Sequence, residues 1–197
     1  GDCHNGWLNS RALALLGSGP REGALEEGEW FEVLTRLGTL AGASEQQEQG
    51  VRTAVDRAAA LGVVGVVDLE FAANPEDWPR RFEAGVTSLR IRAATYPDRL
   101  REVLDAGLRT GARLRSGDGL LTMGPLKIIS DGSLNTRTAY CCEPYVDAGA
   151  SLSPRGTQNT SLPELVELLD RAREGGLEVA VHAIGDAAAA SALEAFA

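Results

Sequence analysis

A single lysine, Lys127, stands in a chain of 197 residues whose other long-chain cations are all arginines. It sits in the apolar run Leu126-Lys127-Ile128-Ile129, near the start of a stretch, 124–145, that reads G-P-L-K-I-I-S-D-G-S-L-N-T-R-T-A-Y-C-C-E-P-Y. Arginine keeps its proton in any protein environment, whereas burial can strip lysine of its own, and the neutral amine is nucleophilic. One lysine kept for an apolar, strand-like position therefore points to an amine used as such. The structural alternative is a lysine at a strand end, with its stem buried and its head in water.

The second chemical stretch is 179–186, V-A-V-H-A-I-G-D. His182 closes a hydrophobic run, the place where a side chain projects into the mouth of a parallel barrel. An imidazole there can ligate zinc through a ring nitrogen, with Asp186 close enough to serve as an outer-shell acceptor or as a helix cap. The alternative is a core-edge histidine bonded to a neighbouring backbone carbonyl. The other histidine, His4, lies in a polar loop with Asp2, Asn5 and Asn9, a setting typical of a surface side chain. Asp68 and Glu70 end a further apolar run and read equally well as site or as solvated loop.

Elements must hold these residues in place. Asn9 or Ser10 caps a short helix that Gly17 stops. Residues 29–40 carry Trp30, Val33, Leu34 and Leu37 at helical spacing, and Ser44 with Gln47 predicts a capping box for a helix running to Gly62. Residues 63–69 are apolar and β-branched, as in a strand buried on both faces. A helix over 74–84 containing Pro79, a strand over 87–94 and a helix over 97–109 follow. A Gly-rich link over 116–119 leads through 120–123 into a strand over 126–130, then a long loop over 131–160. Ser161 caps a helix with Pro163 in its first turn, 177–182 is a strand, and a helix begins at Gly185-Asp186. Strands near 63, 87, 126 and 178, each leading to a helix, describe βα units and a parallel α/β sheet. Four such strands are about half of a TIM-like (β/α)8 barrel. The competing doubly wound sheet lacks its glycine fingerprint, because Gly62-Val63-Val64-Gly65 precedes the strand instead of following it.

The formal net charge is -9. That balance argues against a nucleic-acid partner, which needs a basic face. The apolar runs are too short to span a membrane. No basic-then-apolar leader opens the numbering, and Cys3, Cys141 and Cys142 match neither a disulfide framework nor a spaced zinc pattern. They read as reduced thiols of a cytoplasmic protein. The sequence is silent on oligomeric state.

In order and combination, several segments resemble the amidohydrolase superfamily of metal-dependent hydrolases, in particular its amidohydrolase 3 group. They are G-D-C-H-N-G-W-L-N-S-R-A-L at the start, the strand 63–68, P-L-K-I-I-S-D-G-S-L-N-T-R-T-A-Y, the following E-P-Y, and V-H-A-I-G-D. The resemblance implies a (β/α)8 barrel with one or two divalent metals, commonly zinc. It makes Lys127 similar to the strand-four lysine that reacts with carbon dioxide, and His182 similar to the strand-five metal ligand. A carbamylated lysine offers two anionic oxygens on a long stem, which suits two cations about 3.5–4 Å apart. The implied reaction is attack by a metal-activated hydroxide on a small-molecule amide, at a carbon-nitrogen bond other than a peptide bond. His4, Asn9, Asp131 and Arg137 match recurrent positions and are expected to line the substrate site. The family's paired histidines of strand one would precede Gly1, and its strand-six histidine and strand-eight aspartate would follow Ala197. The expectation is thus a central part of the barrel, strands two to five, inactive by itself. The alternative is a non-catalytic half-barrel serving as a binding or assembly module.

Overall fold

The computed structural model describes residues 4–146 and 153–197, so the Cys3 reading lies outside the described residues. The chain divides into two compact units, Gly1–Val51 and Arg52–Ala197.

In the first unit, β1 (Asn5–Gly6) pairs antiparallel with β2 (Leu25–Glu26). Helix α1 (Ser10–Leu15) and helix α2 (Glu27–Gly38) supply the apolar side chains. Leu16, Leu25 and Val33 form a small core, closed by Leu8, Trp30 and Leu37. Gly6 is obligatory there, since a Cβ would lie 2.2 Å from the Trp30 ring. Asn9 caps α1 by accepting from the Ala12 amide at 2.9 Å, and Gly17 turns the chain at φ +67.

Helix α3 (Ala43–Ala60) carries the chain across the Val51/Arg52 boundary. Its start differs from the capping box expected at Ser44. Gly42, at φ +78, makes the turn, and its carbonyl accepts from the Gln46 amide, so Ser44 is already inside the first helical turn.

The second unit is a four-stranded parallel sheet in chain order: β3 (Gly65–Asp68), β4 (Arg90–Thr95), β5 (Leu121–Ile129) and β6 (Val179–His182). Helix α4 (Asn74–Glu83) follows β3. A 3-10 turn (Pro97–Arg99) and α5 (Leu100–Asp105) follow β4. After β5 comes the long loop and then α6 (Leu162–Glu174), and after β6 comes α7 (Asp186–Phe196). Consecutive parallel strands, each returning through a helix, are half of an eight-stranded α/β barrel. The core is Ile91, Ala93, Leu121, Met123, Leu126 and Ile128 from the strands, packed with Trp78, Leu100, Val103 and Leu165 from the helices. Among the described residues, no helix is long and apolar enough to cross a membrane.

Three local readings change. The helix after Pro97 ends at Asp105 and not near 109, because Gly107 takes φ +67. Residues 121–129 form one strand where a link and a shorter strand were expected. The Gly124-Pro125 pair is absorbed because the β4–β5 pairing shifts register, Ala93 to Thr95 facing Met123 to Leu126 with one extra residue on β5, and Gly124 presses on the Ala93 backbone, where a Cβ would come within 2.9 Å. Finally, 63–69 is not buried on both faces: Val64 is 70% exposed and Val67 45%. β-Branching favours the strand conformation, but burial comes from neighbours, and among the described strands β3 pairs with β4 alone.

Candidate active site

Lys127 of β5 pairs with Ala180 of β6, and Ile129 pairs with His182. Side chains alternate along a strand, and paired residues of adjacent strands point the same way. Lys127, Ile129, Ala180 and His182 therefore share one face, all partly exposed, while Leu126 and Ile128 point to the opposite, fully buried face. The spacing of the sequence thus puts the lone lysine and the strand-end histidine on the same side of two hydrogen-bonded strands. Burial holds the Lys127 ammonium below its ordinary pKa. Among the described residues it has neither a hydrogen-bond nor an ion-pair partner.

His182 is held by its surroundings on both main chain and ring. Its carbonyl accepts from the Ser130 amide at 3.0 Å and from the Ser130 hydroxyl. Its Nε2 donates to the Gly132 carbonyl at 2.9 Å and lies 3.5 Å from Asp131 Oδ1. With the proton on Nε2, Nδ1 is the nitrogen that keeps a lone pair. The carbonyl bond read as the structural alternative is therefore present, and it leaves one nitrogen for a ligand.

Asp131 organises this end of the sheet. It is fully buried, and its oxygens accept from the Tyr140 amide at 2.9 Å, the Ile184 amide at 3.1 Å and the Gly185 amide at 2.8 Å. A buried carboxylate needs such donors, and here they come from the loop after β5 and the turn after β6. The loop is tightly seated: a Cβ on Gly185 would meet the Tyr140 carbonyl at 1.9 Å, and one on Gly132 would meet Thr138 Oγ1 at 2.0 Å. Tyr145 donates to the Ala139 carbonyl at 2.9 Å. Asp186 accepts from the Cys142 amide at 2.7 Å and from the Ala187 amide at 3.0 Å, and the Cys142 bond is the main reason its carboxyl sits below the ordinary range. So Asp186 fastens the loop to the start of α7, and the carboxylate next to His182 is Asp131.

Arg137 is exposed, at a left-handed turn with φ 58 in the same loop. Cys141 and Cys142 are free thiols, the first half-buried and the second exposed. Asp68 accepts from the Trp78 indole at 2.7 Å and from the Glu70 amide at 3.0 Å, which ties the end of β3 to α4. His4 and Asn9 belong to the first unit. There His4 Nδ1 meets the Glu27 carboxylate at 3.1 and 3.2 Å, and its ring packs edge-on to Phe31 at 5.8 Å. Asn9 spends its side-chain oxygen on the α1 cap.

Lys127 and His182 fit a divalent metal as two members of a ligand shell. One is an amine of lowered pKa and the other an imidazole with a free nitrogen, both on one face. Among the described residues no three His, Cys, Asp or Glu side chains converge.

Sequence reading did not find the three-amide cradle of Asp131. Its only local sign was an Asp-Gly just past one strand and an Ile-Gly-Asp just past the next.

The model of the amidohydrolase family matches residues 1–197. Over 65 residues the chain is 49% identical to YtcJ of Bacillus subtilis (strain 168), provisionally named an amidohydrolase; the match covers 33% of this chain and 12% of that protein. A crystal structure of an uncharacterised metal-dependent hydrolase from Pyrococcus horikoshii OT3 superposes with a TM-score of 0.74 at 27% identity, over 98% of this chain and 40% of that one. A second, from Pyrococcus furiosus, superposes with a TM-score of 0.70 at 26% identity, over 98% of this chain and 41% of that one. The chain thus spans well under half the length of the proteins it resembles.

Proposed function

Because the chain belongs to the amidohydrolase family, we propose that it carries the lysine and histidine ligands of a metal-dependent hydrolase cleaving carbon-nitrogen bonds in small amides other than peptides. The observation that carries this reading is the placement of Lys127 and His182 on one face of β5 and β6. A divalent cation, zinc in this proposal, supplies water activation and carbonyl polarisation when bound.

The chain's own residues prepare for it. Partial burial of Lys127 raises the fraction of free amine at neutral pH. A free amine adds to carbon dioxide, forming one N–C bond and releasing one proton, and the product carbamate bears two oxygens able to face a metal pair. Donation from His182 Nε2 to Gly132 fixes the ring so that Nδ1 is the ligating nitrogen. Asp131, with its oxygens on three amides, holds the β5 loop and the β6 turn in register around that ring. Arg137, exposed on the same loop, is in this proposal one of the residues lining the substrate site.

The test is Lys127→Ala and Lys127→Arg in the intact protein. Arginine keeps the charge but forms no carbamate, so both variants should lose bound metal and more than about a hundredfold in amide turnover. Retention of metal and activity by Lys127→Arg would refute the role. A second reading, a non-catalytic half-barrel acting as a binding or assembly module, draws on the lack of a third converging ligand among the described residues. Turnover by the intact wild-type protein would exclude it.

A further inference from the structure

Lys127 reaches the open face of the sheet only because β5 carries one extra residue. Before the register shift, Leu121 and Met123 pair with Ile91 and Ala93; after it, Leu126 pairs with Thr95. Ile91, Ala93 and Thr95 alternate along β4 and share a face, so Leu121, Met123, Leu126 and Ile128 share the matching face of β5, and all four are buried. Odd and even positions of one strand can do so because Gly124 and Pro125 together stand opposite the single Ala94. That two-against-one count is a β-bulge. A regular ladder continued from Met123 would pair Pro125 with Thr95, bury Lys127 in the core, and turn Leu126 and Ile128 to the open face.

The residues of the bulge suit it. A Cβ on Gly124 would lie 2.9 Å from the Ala93 carbonyl carbon and 3.0 Å from the Ala94 nitrogen, backbone atoms that cannot swing aside. Pro125 has no N–H, which a central strand tolerates where its ladder is already interrupted.

The other side of the bulge is closed by Thr110, in the turn between α5 and β5. The Leu126 amide donates to the Glu178 carbonyl at 2.8 Å. In an unbroken parallel ladder the Glu178 amide would then donate to the Gly124 carbonyl. Instead it donates to Thr110 Oγ1 at 2.9 Å, and that hydroxyl donates to the Gly124 carbonyl at 3.0 Å. Thr110 is anchored in turn: its own amide donates to the Gly176 carbonyl at 3.1 Å, and the next amide, of Gly111, donates to the Met123 carbonyl at 2.9 Å. One hydroxyl thus fills the gap that the bulge opens between β5 and β6, the two strands that carry Lys127 and His182.

We propose that Thr110 and Gly124 are positioning residues for Lys127: together they hold the bulge that keeps its amine on the face shared with His182. The consequence for metal binding rests on the hydrolase reading above; the consequence for the orientation of Lys127 does not.

The test reads the amine directly. The intact protein, treated with a chelator and checked for folding by circular dichroism, is reductively methylated with formaldehyde and cyanoborohydride, and peptide mass spectrometry follows the modification of Lys127. Thr110→Val keeps the side-chain shape and removes the hydroxyl relay, whereas Thr110→Ser keeps the relay. Thr110→Val and Gly124→Val should slow methylation of Lys127 by at least about fivefold, as the amine turns toward the buried face, and Thr110→Ser should not. Zinc content of the untreated proteins should fall in the same two variants and be kept in Thr110→Ser. Deleting Pro125 removes the extra residue, so a regular ladder leaves Lys127 on the open face without a relay. In that background Thr110→Val should no longer slow methylation. Wild-type methylation rates in both Thr110→Val and Gly124→Val would overturn the proposal, even with lowered stability, and reduce the two residues to structural parts. So would a Thr110→Val effect of equal size with and without Pro125. Absence of zinc from the wild type would count against the hydrolase reading, and the methylation rates would still decide the orientation of Lys127.

Discussion

Asp68 ends β3 and Asp131 follows β5, each closing an apolar, β-branched run, and the two carboxylates meet very different surroundings. Asp68 stays partly exposed and accepts from one indole and one nearby amide, both within ten residues of chain. Asp131 is fully buried and accepts from amides 9, 53 and 54 residues away. The first ties a strand to its own helix. The second ties two successive βα units together at the end of the sheet where His182 stands. The difference follows from sheet position: β5 lies between two strands, whereas β3 has one described neighbour. A buried carboxylate surrounded by amides therefore marks where the sheet is closed on both sides.

Breaking that contrast should have its largest effect at Asp131. Asp131→Ala leaves three amides without an acceptor around a buried site, and each such loss costs about 1–3 kcal/mol, so a destabilisation of at least about 3 kcal/mol is expected. Asp131→Asn retains one acceptor oxygen but turns an amide NH2 toward backbone donors, so it should fall between wild type and Asp131→Ala. Urea unfolding of each variant measures this, and a cost below about 1 kcal/mol for Asp131→Ala would remove Asp131 from its organising role.

At Asp68 the same substitution should cost less. Asp68→Ala strands the indole N–H of Trp78, a nearly buried side chain, and an exposed amide that water can satisfy. About 1–2 kcal/mol is expected, with a change in Trp78 fluorescence as the local reporter. If Asp68→Ala proved as damaging as Asp131→Ala, the edge strand would matter to this unit as much as its centre, and the contrast would fail.

These two aspartates also mark what the sequence could and could not reveal. Four strands in parallel order were legible, because Gly17, Gly62 and the Gly175-Gly176 pair punctuate the chain and 63–69, 126–129 and 179–182 are dense in β-branched or aliphatic residues. That Lys127 and His182 share a face was within reach of period-2 alternation, once their strands were taken as neighbours. The amides around Asp131 were not, because backbone donors carry no side-chain signature and two of them are more than fifty residues distant. Nor was the exposure of β3, since valine favours an extended backbone whether or not anything covers it. The continuity of β5 through Gly124-Pro125 was hidden for a related reason: it depends on a register shift between β4 and β5, a property of the pair and not of either strand.

The smallest expected effect is at Lys127, and its sign separates a residue kept for stability from one kept for chemistry. Burial lowers its pKa below the ordinary 10.5. Between the lowered folded value and 10.5 the unfolded chain binds more protons at this position than the folded one, so stability should rise with pH across that window. Below it, the folded state carries an ammonium with reduced solvation and no described partner, which is a penalty. Lys127→Met keeps the length and apolar character of the stem and removes the amine. It should be equal to or slightly more stable than wild type at pH 7, by a few tenths of a kcal/mol for a side chain this exposed, and it should flatten the rise in stability toward pH 10. Urea midpoints at pH 7 and pH 10 for the two proteins give the comparison. A Lys127→Met variant clearly less stable at pH 7 would mean that the ammonium stabilises the fold, as a lysine with its head in water would. Unchanged stability together with lost metal binding in the intact protein is the pattern of a side chain retained for its chemistry against a small cost in stability.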